Sequence, residues 1–243
     1  MSANLAYTGG MPSADSSPAK KLPQPIRDAA TLILWRRNGG KLEVLMGERH
    51  GASAFMPNRY VFPGGRLDMA DYRIAPSAPL NPVSTARLAR CRGTGPRKAV
   101  ALAMAAIRET FEESGLRIAG AAKIGRPVPP NWSAFCAGGL APDPSALLYI
   151  CRAITPPGRP RRFDARFFAA PGELAAGSLT PSAELDKLSW VTQADTEGLP
   201  LPGITQYVIA NLEHWLAPAT AVDPALKVPF HHMLYGQRLL DWE

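Results

Sequence analysis

The sequence predicts a single domain of the mixed α/β class. Short runs rich in β-branched and aromatic residues alternate with two helical patterns, and no repeat or linker divides residues 25–243. Apolar residues make up 46% of the 243 residues, which is enough for a packed core. Gly and Pro together number 46, so we expect long loops within a folded domain. Residues 1–24, rich in Ser, Ala, Gly, Pro and Lys, are expected to form a flexible tail.

The first predicted elements are a β-hairpin and a third short strand. Residues 29–35 and 42–46 are apolar runs on either side of a turn that we place at residues 36–40, which end in Asn-Gly-Gly. Residues 60–62 form another short strand that leads directly into Gly64-Gly65. Glycines at this point allow the backbone to approach a ligand closely.

A longer and less regular region follows. Residues 72–96 are Pro-rich, with a short helix predicted over 84–91, and residues 98–114 form an Ala-rich helix that ends before Gly115. The remaining predicted elements are strands at 147–154, 166–169 and 188–191 and an amphipathic helix at 204–216.

Charge and cysteine content exclude several classes of protein. The net charge is +7, and no acidic residue lies between Tyr72 and Arg108, so a polyanion or a phosphorylated metabolite is a natural partner. The three cysteines have unrelated spacings, which disfavours a disulfide framework and a zinc site and favours a reducing cytoplasm. No apolar run approaches the roughly 18 residues of a membrane span.

Three carboxylates share one face of the helix at 98–114. With Glu109 set at zero, Glu112 lies at about −60° and Glu113 at about +40°, on the side opposite Met104 and Ile107. Like charges at this spacing repel each other, and the helix dipole disfavours them in the last turn. One interpretation is a solvated acidic face. The other is a site for a hard divalent cation such as Mg²⁺, which would reverse both penalties.

These residues resemble the signature of the Nudix hydrolases, GX5EX7REUXEEXGU, in which U is aliphatic. Gly65 matches the first glycine, Asp71 stands at the first glutamate, and residues 108–116 match the second half, with Thr110 at an aliphatic position. The segment between the two halves is 29 residues longer than the signature allows. A long insertion at this point is similar to that of a subgroup that includes the peroxisomal acyl-coenzyme A diphosphatases.

Other segments also resemble that subgroup. They are residues 55–65 and 162–168, and residues 45–49 resemble the start of a further motif whose second half is not at the expected spacing. The resemblance implies a Nudix-type α/β/α sandwich with a mixed sheet. It also implies Mg²⁺-dependent (or Mn²⁺-dependent) hydrolysis of a diphosphate bond in a nucleoside diphosphate linked to another moiety. Coenzyme A or an acyl-coenzyme A is the favoured substrate.

The resemblance also implies roles for individual residues. The expected metal ligands are Glu109, Glu112, Glu113 and the backbone carbonyls of Gly64 and Gly65. Glu112 is either a further ligand or the base that accepts the proton of water. Arg108 completes the catalytic set, where we expect it to hold a carboxylate through a bidentate pair.

The basic insertion at 72–97 has two interpretations. Its end carries the basic residues expected to bind the additional phosphate of a coenzyme A-like substrate: Arg87, Arg90, Arg92, Arg97 and Lys98. Alternatively, this region is a solvated loop. Two other functions are considered. One is hydrolysis of ADP-ribose or NADH. The other is that of a Nudix-fold protein that binds a nucleotide or RNA without cleaving it. The intact acidic half-motif disfavours mere nucleic-acid binding, and a homodimer is left open.

Overall fold

A computed structural model describes residues 24–53, 56–123 and 125–243. All but the last residue of the tail expected at 1–24 lies outside these ranges. The strands are β1 Ile26–Asn38, β2 Lys41–Arg49, β3 Tyr60–Val61, β4 Gly64–Arg66, β5 Arg117–Ala121, β6 Leu140–Pro142, β7 Leu148–Ile154, β8 Arg162–Pro171, β9 Ala175–Ala176, β10 Leu185–Thr192, β11 Pro229–Leu234 and β12 Gln237–Trp242. The α-helices are α1 Pro82–Arg90, α2 Pro96–Ser114, α3 Gly203–Leu216 and α4 Pro218–Ala221.

A mixed sheet of nine strands forms the middle layer. Its order is β10-β2-β1-β8-β7-β11-β12, with β3 paired to β2 and β4 paired to β1. The central pair, β1 and β8, is parallel, whereas β1 and β2 form an antiparallel hairpin. A smaller sheet contains β6, β5 and β9 in that order.

The two long helices cover opposite faces of the large sheet. Successive residues of β1 point to opposite faces, as the strand period of two requires. Leu32 and Leu34 pack in the core cluster that contains α2, whereas Ile33 packs in the one that contains α3. The structure therefore has the predicted α/β/α sandwich with a mixed sheet. Within the described residues, no helix is both long and apolar enough to cross a membrane.

The predicted hairpin is confirmed, but its turn is shorter than expected. Residues 36–38 continue β1 and pair with β2, Asn38 lying opposite Lys41. Only Gly39 and Gly40 remain in the turn, with φ of 56° and 79°. Both values are positive, as a two-residue turn that matches the strand twist requires. The expected placement of residues 36–38 in the turn is therefore wrong.

Helix α2 carries the residues of interest and is longer than predicted. It begins at Pro96, since proline is well suited to the first helical turn, where its missing N–H costs nothing. It ends where Gly115 adopts φ 77° and donates its N–H to the carbonyl of Phe111. The predicted short helix in the insertion is present as α1, capped by the Asn81 side chain, which accepts from the N–H groups of Val83 and Ser84.

Candidate active site

The acidic side chains near the end of α2 lie partly inside the protein. The exposed fraction is 2% for residue Glu113 as a whole, and it is 14% for the side chain of Glu109 and 44% for that of Glu112. Helix α2 packs against β1 and β4, so this face of the helix is turned toward the sheet. A solvated acidic face therefore does not describe Glu109 or Glu113.

The glycine pair lies directly against these carboxylates. The N–H of Gly64 donates a hydrogen bond of 2.8 Å to Oε2 of Glu113. A Cβ atom added to Gly65 would overlap the carboxyl group of Glu109, and one added to Gly64 would lie 2.6 Å from the carbonyl oxygen of Ala30. A side chain at Gly64 would therefore meet the backbone of β1, whereas one at Gly65 would have to displace the Glu109 carboxyl group. The structure thus brings together the two halves of the motif, which are separated by the long insertion.

Arg108 holds three carboxylates of this site in place. Its Nε and Nη2 donate to the two oxygens of Asp71 at 2.8 and 2.9 Å, which is the bidentate geometry expected of this arginine. Its Nη1 donates to Glu109 and Glu112 at 2.9 Å each. Asp71 is itself buried, so its position in the motif serves to fix the guanidinium.

Burial changes the acid–base behaviour of the site. It raises the pKa of Glu109 to about 7 and that of Glu113 to about 8, although Arg108 lowers the former and the Gly64 N–H lowers the latter. Burial also raises the pKa of Glu112. For Arg108, burial opposes the charge, but its bonds to Asp71 and the neighbouring carboxylates outweigh this and raise its pKa. The negative charge of this site is thus poorly compensated by the protein.

The donor set fits a hard divalent cation. Oε1 of Glu113 is buried and accepts no hydrogen bond from any described residue. Such an orphaned carboxylate oxygen is costly unless a cation completes its coordination. In the arrangement seen here, no group of three His, Cys, Asp or Glu side chains in the described ranges could hold a metal ion. Arg108 engages one oxygen each of Glu109 and Glu112, which leaves the other oxygen of each carboxylate without a bond to this guanidinium.

Arg49, at the end of β2, is a site residue that the sequence analysis did not select. Its Nη2 lies 3.9 Å from Oε1 of Glu113, and its Nη1 lies 3.9 Å from Oε2 of Glu184. The only sequence signal for it is the resemblance of residues 45–49 to the start of the subgroup's further motif. Glu184, in the loop before β10, does not belong to a recognisable sequence motif.

Some of the basic residues that were expected to bind substrate make contacts within the protein. Arg87 is fully buried and donates to the backbone carbonyls of Tyr149, Thr220 and Asp223, so the expectation that it binds a phosphate is wrong. Its guanidinium instead ties α1 to β7 and α4.

The other four basic residues lie nearer the surface. Arg90 donates to the carbonyls of Pro224 and Leu226 at 2.7 Å, and Nζ of Lys98 lies 2.6 Å from Asp28. Both side chains thus have partners within the protein, and their phosphate role stays a prediction. Arg92 and Arg97 are exposed, and their role stays a prediction.

This chain is similar to known proteins, among them a NUDIX hydrolase and an acyl-coenzyme A diphosphatase. A NUDIX hydrolase from Alicyclobacillus acidocaldarius, known from its crystal structure, is 32% identical, with a TM-score of 0.58 over 78% of this chain and 91% of that one. The acyl-coenzyme A diphosphatase NUDT19 of Xenopus laevis is 35% identical over 101 residues, which are 33% of this chain and 26% of that protein. The match therefore spans about a quarter of that relative's length. No protein-family model matches the chain.

The likeness to the Alicyclobacillus NUDIX hydrolase extends over nearly its whole length, and it includes the overall fold. The chain belongs to the Nudix hydrolase family. It is therefore an enzyme of the pyrophosphohydrolase class.

Proposed function

We propose that this enzyme is a Mg²⁺-dependent diphosphatase of coenzyme A or acyl-coenzyme A. The observation that carries the proposal is the buried set of carboxylates against Gly64-Gly65, with Oε1 of Glu113 orphaned. The choice of coenzyme A derives support from the long insertion and from the partial likeness to the Xenopus acyl-coenzyme A diphosphatase. The substrate class is a nucleoside diphosphate linked to a second moiety.

The proposed metal site uses Glu109, Glu112 and Glu113 with the carbonyls of Gly64 and Gly65. Mg²⁺ prefers carboxylate and phosphate oxygens together with water, and when bound it neutralises diphosphate charge and makes water easier to deprotonate. Mn²⁺ has the same ligand preferences and is expected to substitute.

The charged side chains of α2 have different proposed roles in the reaction. Glu112 is the most exposed of the three glutamates, so water reaches it and it is the proposed acceptor of the proton. Arg108 is a positioning residue, because its guanidinium is fully engaged by Asp71, Glu109 and Glu112. Glu113 is held by the Gly64 N–H, which fixes one of its oxygens and leaves the other toward the metal site.

Product analysis by mass spectrometry tests the proposal. Coenzyme A incubated with the protein and Mg²⁺ is expected to take up one water, break the P–O–P bond and give 3′,5′-ADP and 4′-phosphopantetheine, each with one phosphorus of the former diphosphate. Acetyl-coenzyme A, ADP-ribose and NADH complete the panel.

The same panel separates the alternatives. Cleavage of ADP-ribose or NADH without cleavage of coenzyme A would replace the substrate assignment. Tight binding of a nucleotide with no cleavage of any substrate would overturn the enzymatic reaction itself. The cytoplasmic location and the homodimer stay predictions.

A further inference from the structure

A polar cleft opens beside the carboxylate site. Its volume is about 260 Å³, and its polar lining consists of Arg49, His50, Ser53, Arg161 and Glu184. Pockets that enclose a whole small molecule commonly measure roughly 300–1,000 Å³, so this cleft is suited to one group of a substrate rather than to all of it.

Arg49 connects the cleft to the proposed metal site. One side of its guanidinium faces Glu113 and the other faces Glu184, each at 3.9 Å. The N–H of His50 donates to the carbonyl of Glu184 at 3.1 Å, which joins the wall formed by the end of β2 to the loop before β10. A group bound in this cleft would therefore lie next to the reacting diphosphate.

The two arginines of the cleft differ from Arg87, Arg90 and Arg108, whose guanidinium groups are used within the protein. Those three donate their N–H groups to carbonyls or carboxylates of the protein. Within the described ranges, neither Arg49 nor Arg161 has a side-chain partner within hydrogen-bonding distance. Planar guanidinium groups that are free to donate in pairs are well suited to phosphate.

His50 adds a third donor to the same wall. Its Nδ1 accepts a hydrogen bond of 3.2 Å from the N–H of Ala52, so the neutral ring carries its proton on Nε2. Among the described residues that line the cleft, Glu184 is the only acidic one, and it is exposed. A phosphate that enters the cleft competes with Glu184 and Glu113 for Arg49, whereas Arg161 has no carboxylate within 4.0 Å among the described residues.

We propose that this cleft binds a phosphate monoester that the substrate carries in addition to its diphosphate, and that Arg161 determines the preference for it. The inference rests on the proposed function and assigns recognition of this phosphate to the cleft that Arg49 and Arg161 line. In coenzyme A the group is the 3′-phosphate of the ribose.

The experiment compares substrates that differ only in this phosphate. The pairs are coenzyme A with 3′-dephospho-coenzyme A and NADPH with NADH, each assayed for kcat/KM with Mg²⁺. The native enzyme is expected to favour the phosphorylated member of the pair that it cleaves. Arg161→Ala is expected to lower that preference about tenfold by raising KM for the phosphorylated member alone, because one charge-assisted contact is lost. Arg161→Lys should retain part of the preference.

Arg159→Ala is the matched control, since Arg159 is an exposed arginine two residues away that does not line the cleft. It is expected to keep the native preference. Equal kcat/KM for both members of a cleaved pair, or equal effects of the Arg161 and Arg159 substitutions, would overturn the inference while leaving the diphosphatase reaction intact. Failure to cleave any member of either pair would count against the proposed function and the inference together, and the wider panel then shows which nucleotide class is cleaved.

Discussion

Two clusters of charged residues lie partly or wholly inside this protein, and they differ in charge balance. The first, here called the interior cluster, joins Arg152, Arg166 and Lys98 to Asp28, Asp164 and Glu243. The second, the site cluster, contains Asp71, Glu109, Glu112 and Glu113, and Arg108 is the one guanidinium of the described residues that lies within hydrogen-bonding distance of them. The interior cluster has three cations for three anions. The site cluster has an excess of negative charge.

The difference shows which cluster serves folding and which requires a ligand. Unpaired polar atoms do not distinguish them, since Nε of Arg166 lacks a hydrogen-bond partner among the described residues, as Oε1 of Glu113 does. Charge does distinguish them, because a buried charge is tolerated only when it is compensated. Burial keeps the pKa of Glu109 and Glu113 raised despite Arg108 and Gly64, so a further cation has a place in the site cluster.

Substitution of the orphaned carboxylate gives the largest expected effect on activity. Glu113→Gln keeps the shape of the side chain and removes its charge, and kcat is expected to fall about a thousandfold because transition-state charge stabilisation by the cation is lost. Steady-state assays on the cleaved substrate measure this loss. The exposed Glu197→Gln is the control and should retain native kcat. If Glu113→Gln retains native kcat, the site cluster is not the active site.

Substitution in the interior cluster should instead affect stability. Arg166→Met removes the one fully buried cation of the interior cluster and leaves Asp164 with Arg152 and Asp28 with Lys98, and the free energy of unfolding is expected to fall by about 3 kcal/mol. Denaturation with urea measures the loss, and kcat per folded molecule should be unchanged. A large fall in kcat of the folded variant would show that the two clusters are not separate in function.

A methyl group at the glycine pair tests how closely the site is packed. In Gly65→Ala the new Cβ would displace the carboxyl group of Glu109, and kcat is expected to fall about a hundredfold, as a misplacement of about 1 Å commonly causes. Gly203→Ala, at the first residue of α3, is the matched control because its Cβ would meet no atom within 4 Å. Equal activity of the two variants would contradict the close packing described.

The smallest effect is a dependence of stability on pH and metal. Glu109 and Glu113 have raised pKa values in the folded protein, so the folded state binds more protons than the unfolded state between about pH 5 and 8. These two groups therefore make the metal-free protein less stable as pH rises through this window. With Mg²⁺ the decline should be smaller, since the cation stabilises the ionised carboxylates.

Scanning calorimetry at pH 5 and pH 8, with EDTA or with Mg²⁺, measures this effect. The midpoint is expected to differ between the two conditions by a few degrees at pH 8 and much less at pH 5. In Glu113→Gln the difference at pH 8 should shrink, because the variant no longer carries the buried charge. A Mg²⁺ effect that is equal at both pH values would exclude the carboxylates as its source.

Much of the fold could be predicted from local patterns. The Asn-Gly-Gly turn, the Ala-rich α2 and its Gly115 end carry their information within a few neighbouring residues. Strands β5 and β6 were missed because they are short, and the β11-β12 hairpin was missed because it is sparsely apolar; β5 pairs with β6 and β9, and β11 pairs with the distant β7. Local propensity cannot anticipate such pairing.

The site was predictable where helical spacing alone decides the geometry. That spacing places Glu109, Glu112 and Glu113 on one face, and the motif places Gly64 and Gly65 beside them. The role of Arg87 was not predictable, because an arginine in a basic loop is usually solvated, and only the fold places it under α4. Arg49 and Arg161 were not selected from the sequence because they lie 112 positions apart, and only the fold brings them to the same cleft.

Calorimetric titration of Mn²⁺ into the metal-free protein tests the central claim most directly. We expect binding to the native enzyme that strengthens as pH rises toward 8, and at least tenfold weaker binding to Glu113→Gln with unchanged thermal unfolding in EDTA at low pH. Equal affinity of the two proteins for Mn²⁺, or no binding to the native enzyme, would contradict the assignment of these buried carboxylates to a metal site.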